Sequence, residues 1–535
     1  MATLYGLSSD FREHPVGEWT AVYNRHWGGL CLLDAEARRF LEQFSTPQVV
    51  HGDGPGKAGV FVVSDSPESR LLRQLALRRV LVAVDPSATG ADALGAPQGE
   101  VLTATELPVT SLTQPPISAQ RINVVQLVMI NSCNFGCTYC FEGVQGADLK
   151  KQPDSIVKIR RPGNEPATED ETKINLLNSV YASEVRIQHQ RDAENRLMRP
   201  EQAVDYISKA IAVAKKSGTT RLMIQFFGGE PLLNWRAIRA VLETFKHGED
   251  HGIQIDYTTV TNGSLIRKEV AEAFRDYEVG VCVSFDSPES TSRPLKNGDD
   301  SRPIVLEGLR MLQEHGVRVA MNVALSTDTW ETFGPPLIDF ALEYGISEIG
   351  VVVDLDPNFY SRFGSTAITS KVWSVVQEGQ DRGVVVTGYW HQIFQLLSNF
   401  GAITQRGFKN CSATGAQLSI EPNGSIFSCK AGSGRFGSIH DENILQSPTY
   451  REHAALRQNN PPFCRGCEIE GFCAGLCLGP REKAYGTIEK MEPAACGFYR
   501  EITHKFIEAQ APYEIATFDL ASARGAGATS EPGRA

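Results

Sequence analysis

Between Arg121 and about Asp356, six apolar runs alternate with amphipathic stretches, and this alternation narrows the possible folds further than any other feature of the chain. The runs are INVVQLVMI, RLMIQFF, IQIDYTTVT, EVGVCVSFD, VRVAMNVAL and ISEIGVVVDL, and the first regular helical stretch after the first run is PEQAVDYISKAIAVAKK. Apolar strands separated by helices predict a parallel sheet with its helices outside, an α/β fold. Six strands fit a partial (β/α)6 TIM-type barrel over residues 121–360 better than a closed eight-stranded one. In either case the loops after the C-terminal strand ends would build the site. A charged, aromatic-poor insertion at 145–196 reads as a mobile segment, either a lid or a neutral surface loop.

The remaining chain divides around this barrel. Residues 1–92 read as a small separate unit with a winged-helix-like outline. The hairpin WTAVYNRHWGGLCLLD leads into the Asp-capped helix DAEARRFLEQF, and SPESRLLRQLALRRVLV supplies a second helix. Residues 93–120 form a linker and 361–410 carry bridging helices. A cysteine-bearing domain follows at 411–510, opened by the Asn-Gly hairpin LSIEPNGSIFS. The low-complexity end, 511–535, is expected to be disordered.

Bulk properties exclude several classes. At 535 residues the chain exceeds one compact core, and its net charge of -11 argues against nucleic acid as a partner. No run is long enough to span a bilayer, and no secretory signal opens the chain, so a cytoplasmic location is expected. Twelve cysteines in that compartment are not a disulfide framework. Ten of them fall in two tight groups, which points to metal.

The first group is NSCNFGCTYCFEG, with Cys133, Cys137 and Cys140 on the loop after the first strand. Thiolates bind soft ions, and a cluster held by three of them leaves one iron open to an outside ligand. Zinc or a purely structural role is the alternative. The CxxxCxxC spacing, with the aromatic Tyr139 before the third cysteine, resembles that of the radical SAM enzymes. Three strand ends look similar to that family as well: FFGGEPLL with Gly228, Gly229 and Glu230, TNGSL with Asn262, and SFDSP with Ser284 and Asp286. The chain departs from the last pattern at Ser287, where the family usually has Gly, and Arg293 or Lys296 could fill its displaced basic position. The resemblance implies a 4Fe-4S cluster on the three cysteines, with S-adenosylmethionine on the free iron. Tyr139, Gly228, Gly229, Glu230, Asn262, Ser284 and Asp286 would surround that cofactor.

The second group reads Cys411, Cys429, Cys464-xx-Cys467-x5-Cys473-x3-Cys477, then Cys496. Seven thiols exceed one tetrahedral site and fall short of two, so a zinc ribbon and iron-sulfur clusters both stay open. The spacing resembles the SPASM extension of radical SAM enzymes. That resemblance implies two auxiliary 4Fe-4S clusters, one on Cys411, Cys429 and Cys477 and one on Cys464, Cys467, Cys473 and Cys496. The first of these lacks a fourth cysteine, which leaves an open iron or a different ligand. Cys31 and Cys282 lie in apolar strands and read as small buried hydrophobes.

The N-terminal unit resembles the PqqD-like RiPP recognition element, in which a leader peptide adds as a strand at a sheet edge. Together the three resemblances imply a maturase that takes a hydrogen atom from a ribosomally made precursor peptide and forms a thioether, C-C or C-O cross-link. An electron donor such as flavodoxin or ferredoxin would serve it. Asp354 and Asp356, at the end of the sixth strand, are the candidate bases. Formylglycine-forming sulfatase maturation, epimerisation and a zinc-scaffolded binding module are the competing readings.

Overall fold

The structure, a computed structural model, describes residues 2–52, 60–63, 66–84, 121–140, 197–354, 356–398, 411–455, 461–473, 477–509 and 515–528. The expected linker at 93–120 and the insertion at 145–196 lie outside these.

Seven short strands come first: β1 (Ala2–Leu7), β2 (Phe11–Val16), β3 (Trp19–Asn24), β4 (Gly28–Leu33), β5 (Gln48–Gly52), β6 (Val60–Val63) and β7 (Leu81–Ala83). The barrel strands are β8 (Val124–Ile130), β9 (Arg221–Gly228), β10 (Gln254–Thr261), β11 (Gly280–Ser284), β12 (Val319–Leu325) and β13 (Glu348–Val353). These six correspond to the six apolar runs, and they pair in parallel in chain order. In β9, Leu222, Ile224 and Phe226 alternate inward, as a pleated strand with one core face requires. The helix Pro200–Lys216 buries Ile207, Ala210, Ile211 and Ala214, the spacing of a single helical face.

The sheet extends beyond the six. On one side β14 (Val385–Thr387) joins β13. On the other, β15 (Gln417–Ile420) pairs in parallel with β8 and turns through the expected hairpin into β16 (Ser425–Phe427), which pairs with β17 (Arg435–Ser438). The result is an open ten-stranded sheet in the order β14-β13-β12-β11-β10-β9-β8-β15-β16-β17. The C-terminal cysteine domain is therefore welded to the strand that carries the first cysteine loop.

The N-terminal unit is less separate than its sequence suggests. Its strands form two sheets, β6-β5-β1-β7 and β4-β3-β2, the second completed by β18 (Ala516–Phe518). The helix Ala35–Glu42 starts at an Asp34 cap, as expected, and the helix Pro67–Leu77 at Ser66. All six residues of β4 are buried. Leu30 and Leu32, with Ala21 and Tyr23 of β3, enter the core of the barrel body, whereas Cys31 and Leu33, with Val22, enter a second core beneath the two helices. Period-two alternation thus points two apolar faces at two cores, and each fully buried Leu or Val adds roughly 1.5–3 kcal/mol to the docking. The hairpin loop seals the contact. Arg25 pairs with Asp10 at 2.8 Å and Glu470 at 3.6 Å, and a Cβ on Gly471 would lie 2.2 Å from the His26 carbonyl oxygen.

The tail also departs from expectation. Residues 516–518 form a strand and Leu520–Ala528 a helix, because β4 offers an open ladder edge and Leu520 finds a buried seat in the second core. Among the described residues no helix is long and apolar enough to cross a membrane.

Candidate active site

The loop after β8 carries Cys133, Cys137 and Cys140, and its course is fixed by backbone pairing with the segment after β11. Gly136 N–H donates to the Pro294 carbonyl at 2.8 Å, Thr138 N–H to Ser292 at 3.0 Å, and Lys296 N–H to Asn134 at 3.1 Å. The end of β9 lies flush against the same loop. A Cβ on Gly228 would sit 2.3 Å from the Ile130 carbonyl oxygen, and one on Gly229 2.3 Å from that of Ser132. Both glycines are required by this close approach of backbone to backbone, and Gly228 also has φ +138. Glu230 N–H then donates to the Ser132 carbonyl at 3.0 Å.

Glu230 is buried, and its carboxylate gathers three donors: Leu232 N–H at 3.0 Å, the Thr261 hydroxyl at 2.8 Å and Asn262 N–H at 2.7 Å. Burial raises its pKa, and these donors oppose the rise. The carboxylate ties the end of β9 to the end of β10. From there the Asn262 amide reaches Asn134 at 2.9 Å and the Cys133 sulfur at 3.8 Å. Phe135 N–H also donates to that sulfur, at 3.4 Å.

On the far side, the Tyr139 hydroxyl donates to Asp286 in a very short hydrogen bond and accepts one from Arg293 at 2.9 Å. Asp286 accepts a second bond from Ala324 N–H at 3.1 Å. Of the two basic candidates, Arg293 makes the side-chain contact with Tyr139, while the Lys296 backbone pairs with Asn134. Burial opposes the Arg293 charge, but Tyr139, Cys137 and Asp286 outweigh burial and raise its pKa. Ser284 is half-buried at the end of β11.

The donor set fits a cluster rather than one ion. Among the described residues no three metal-binding side chains converge at single-ion spacing. Burial raises the thiols of Cys133 and Cys137, the latter to about 11, and Cys140 lies close enough to act on both. N–H donors already point at Cys133, and the buried Arg293 Nε has no acceptor among the described residues. Cys133, Cys137 and Cys140 would hold the cluster, and the polar shell would face its outside ligand.

The seven C-terminal cysteines sort into two sets. Cys477 is raised by burial and then by Cys411 and Cys429, whereas Cys464 is raised by burial and then by Cys473, Cys496 and Cys467. The Tyr389 hydroxyl hydrogen-bonds Cys477 and lies near Cys411. Arg481, on the helix that begins at Cys477, is buried between the sets: Cys464 and Cys473 act on it from one, Cys411 and Cys477 from the other. A buried polar bridge links this domain to the first loop. Lys430, next to Cys429, bonds Asn131 closely and Glu421 at 3.1 Å, and Asn131 donates to Glu421 at 2.8 Å. Sequence reading missed Arg481, Tyr389 and Lys430. Only the place of Arg481 one helical turn after Cys477, and that of Lys430 directly after Cys429, could have pointed to them.

Asp354 and Asp356 follow directly after β13. Asp356 caps the helix Pro357–Phe363 through Asn358 N–H at 2.9 Å, and Asp354 accepts from Asp356 N–H at 3.0 Å. Burial pushes the thiols of Cys31 and Cys282 up to about 12 each, but only Cys31 lies in a core as expected; Cys282 is half-buried on β11.

Comparison with known proteins agrees with this geometry. Residues 127–335 match the Radical SAM superfamily, and residues 411–468 match SPASM, an iron-sulfur cluster-binding domain. The radical SAM cyclopropyl synthase TigE of Paramaledivibacter caminithermalis is 39% identical over 392 residues, 73% of this chain and 75% of that one. The fold resembles native anSMEcpe with bound AdoMet and Cp18Cys peptide, with a TM-score of 0.53 at 15% identity over 76% of this chain and 99% of that one. Native anSMEcpe with bound AdoMet gives 0.51, also at 15% identity, over 75% and 100%. With the cysteine loop, the strand ends and the two thiol sets in place, the chain belongs to the radical SAM enzymes, and its C-terminal region is their SPASM domain.

Proposed function

We propose that this enzyme forms a carbon–carbon bond in a ribosomally made precursor peptide, closing a small ring or cross-link between unactivated carbons. The observation that carries this reading is the 39% identity to a cyclopropyl synthase, extending over most of both chains. When bound at Cys133, Cys137 and Cys140, the cluster and S-adenosylmethionine supply a 5'-deoxyadenosyl radical, and the auxiliary clusters supply places for an electron.

The chain's own residues position and shield. Glu230 fixes the ends of β9 and β10 against the cysteine loop, and Asn262 directs an N–H toward Cys133. The Tyr139, Asp286 and Arg293 triad holds a buried cation beside Cys137, suited to a carboxylate of the outside ligand. Forming the new bond removes two hydrogens from the peptide, one as an atom and one as a proton plus an electron. Asp354 or Asp356, directly after β13, would accept the proton.

The N-terminal unit would recognise the leader, raising the concentration of the core peptide at the barrel mouth. A flavodoxin- or ferredoxin-type donor in the reducing cytoplasm would complete the system. Co-expression with short open reading frames beside the gene, followed by mass spectrometry, tests the reading. The expected product lacks two hydrogens per modification. An unmodified peptide, or a product of unchanged mass, contradicts it.

A further inference from the structure

Strict alternation along the barrel strands separates a face packed on helices from an inner face. On β12, Met321, Val323 and Leu325 are buried in the core that the helices share, and on β13 Ile349, Val351 and Val353 join them. The residues between them turn the other way and stay accessible. Register lines these inner residues up in rows across the sheet. One row runs Ser284 on β11, Asn322 on β12, Gly350 on β13 and Thr387 on β14.

Two members of this row are poor choices for the middle of a strand. Asn and Gly are both depleted in strands, and an interior glycine marks a place where another group approaches closely. Here that group is the Asn322 amide, since a Cβ on Gly350 would lie 2.6 Å from its Oδ1. The φ of Gly350 is not left-handed, so the backbone itself would accept a side chain. Glycine serves only to leave Asn322 its room. A local cost at two adjoining positions, with no local gain, is the pattern of a functional site.

The Asn322 carbonyl is occupied, accepting from Phe285 N–H at 2.9 Å. Its carboxamide is half-buried and has no hydrogen-bond partner among the described residues, whereas Thr387 turns its hydroxyl to Glu348 at 3.3 Å. The amide also has a defined height. Two residues further along β12, Ala324 N–H donates to Asp286, the carboxylate that holds Tyr139. Asn322 thus lies one inner-face step, about 6.6 Å, below the Tyr139, Asp286 and Arg293 triad. The wall around it is apolar: Ala320 and Ala324 flank it on β12, and Val352, 50% exposed, follows Gly350 on β13. A carboxamide presents an acceptor and two donors in one plane, the complement of a peptide group.

We propose that Asn322, in the space Gly350 leaves for it, hydrogen-bonds the main-chain amide of the substrate residue under attack and so fixes that residue's side chain beneath the cofactor. This rests on the peptide-modifying reading above and adds a residue that touches the substrate. Recognition falls on the main chain, and the apolar wall of Ala324 and Val352 is left for the side chain.

The test compares wild type, N322A, G350A and the double variant, each reconstituted to equal iron and sulfide content. Calorimetry reads S-adenosylmethionine affinity, chromatography reads 5'-deoxyadenosine, and mass spectrometry reads modification of the precursor peptide found by co-expression. In N322A, modification should fall at least tenfold, and 5'-deoxyadenosine released per peptide modified should rise at least fivefold, because the reacting carbon is no longer held in line. G350A, whose added methyl pushes the amide aside, should uncouple in the same way. The double variant should be no worse than N322A, since both changes act on one contact. Cofactor affinity should stay within twofold throughout. Unchanged coupling in N322A, or losses that multiply in the double variant, overturn the proposal. A matching loss of cofactor affinity overturns it as well, by giving Asn322 to the cofactor. Wild type that cleaves the cofactor but modifies no peptide sinks the maturase reading and this site with it. Wild type that modifies peptide beside an unimpaired N322A sinks the site alone.

Discussion

The two cysteine regions of this enzyme are built on opposite plans. The first packs three thiols on one loop inside a polar shell drawn from three other strand ends: Glu230, Asn262, and Asp286 with its partner Arg293. The second spreads seven thiols through helices and turns, with Tyr389, Tyr499 and the buried Arg481 between them. A polar shell with a thiol short of four suits a place where an outside molecule binds and reacts. Aromatic packing around two thiol sets, one of three cysteines and one of four, suits insulated storage of charge. The Lys430, Asn131 and Glu421 bridge and the β8–β15 pairing hold the two plans at a fixed relation.

Removing a thiol should separate them most sharply. Replacing Cys133, Cys137 or Cys140 with Ala is expected to abolish 5'-deoxyadenosine formation, read by chromatography, while the protein keeps the iron and sulfide of the C-terminal sets. The next effect concerns the polar shell alone. Arg293→Met strips the charge from a buried group facing Asp286, and loss of one member of such a pair costs about 3–5 kcal/mol. Chemical denaturation of the cluster-free protein should show most of that loss, and Arg293→Lys should recover part of it.

In the C-terminal region, Arg481→Gln removes a positive charge lying between both thiol sets. Potentiometric titration followed by electron paramagnetic resonance should show the auxiliary signals moving to lower potential by roughly 60 mV, a tenfold change for a one-electron couple. The signal of the first cluster should stay in place. The smallest effect concerns the docked N-terminal unit. Arg25 and His26 outweigh the burial that would raise Asp10, holding its carboxyl down at about 2 against an ordinary 3.8. Its contribution is therefore complete above about pH 3.8 and is lost as pH falls toward 2. Asp10→Asn should cost about 1–2 kcal/mol at neutral pH, seen as faster proteolysis of the N-terminal unit, and nothing near pH 2.

The sequence disclosed the parts whose signals are local. Six apolar runs marked the barrel strands, and Asp34 marked the start of a helix. What it hid depends on contacts between distant segments. Nothing in QLSI announces that β15 will pair with β8, nearly three hundred positions earlier. The two-sided burial of β4 looked like a hairpin of an independent unit, because continuous apolarity does not reveal that its two faces serve two cores. The tail looked disordered because small residues and Gly carry no pattern of their own, and its strand exists only through the edge it fills. Arg481 was illegible for a related reason: a lone Arg in a helix is ordinarily solvated, and only the fold places this one between thiols.

The division of labour between the two regions is most directly tested by electron paramagnetic resonance of the reconstituted, reduced enzyme with and without S-adenosylmethionine. The cofactor should perturb one cluster signal only, and that perturbation should persist in Cys464→Ala and vanish in Cys133→Ala. A perturbation that survives in Cys133→Ala would place the reactive iron outside the β8 loop and contradict the assignment.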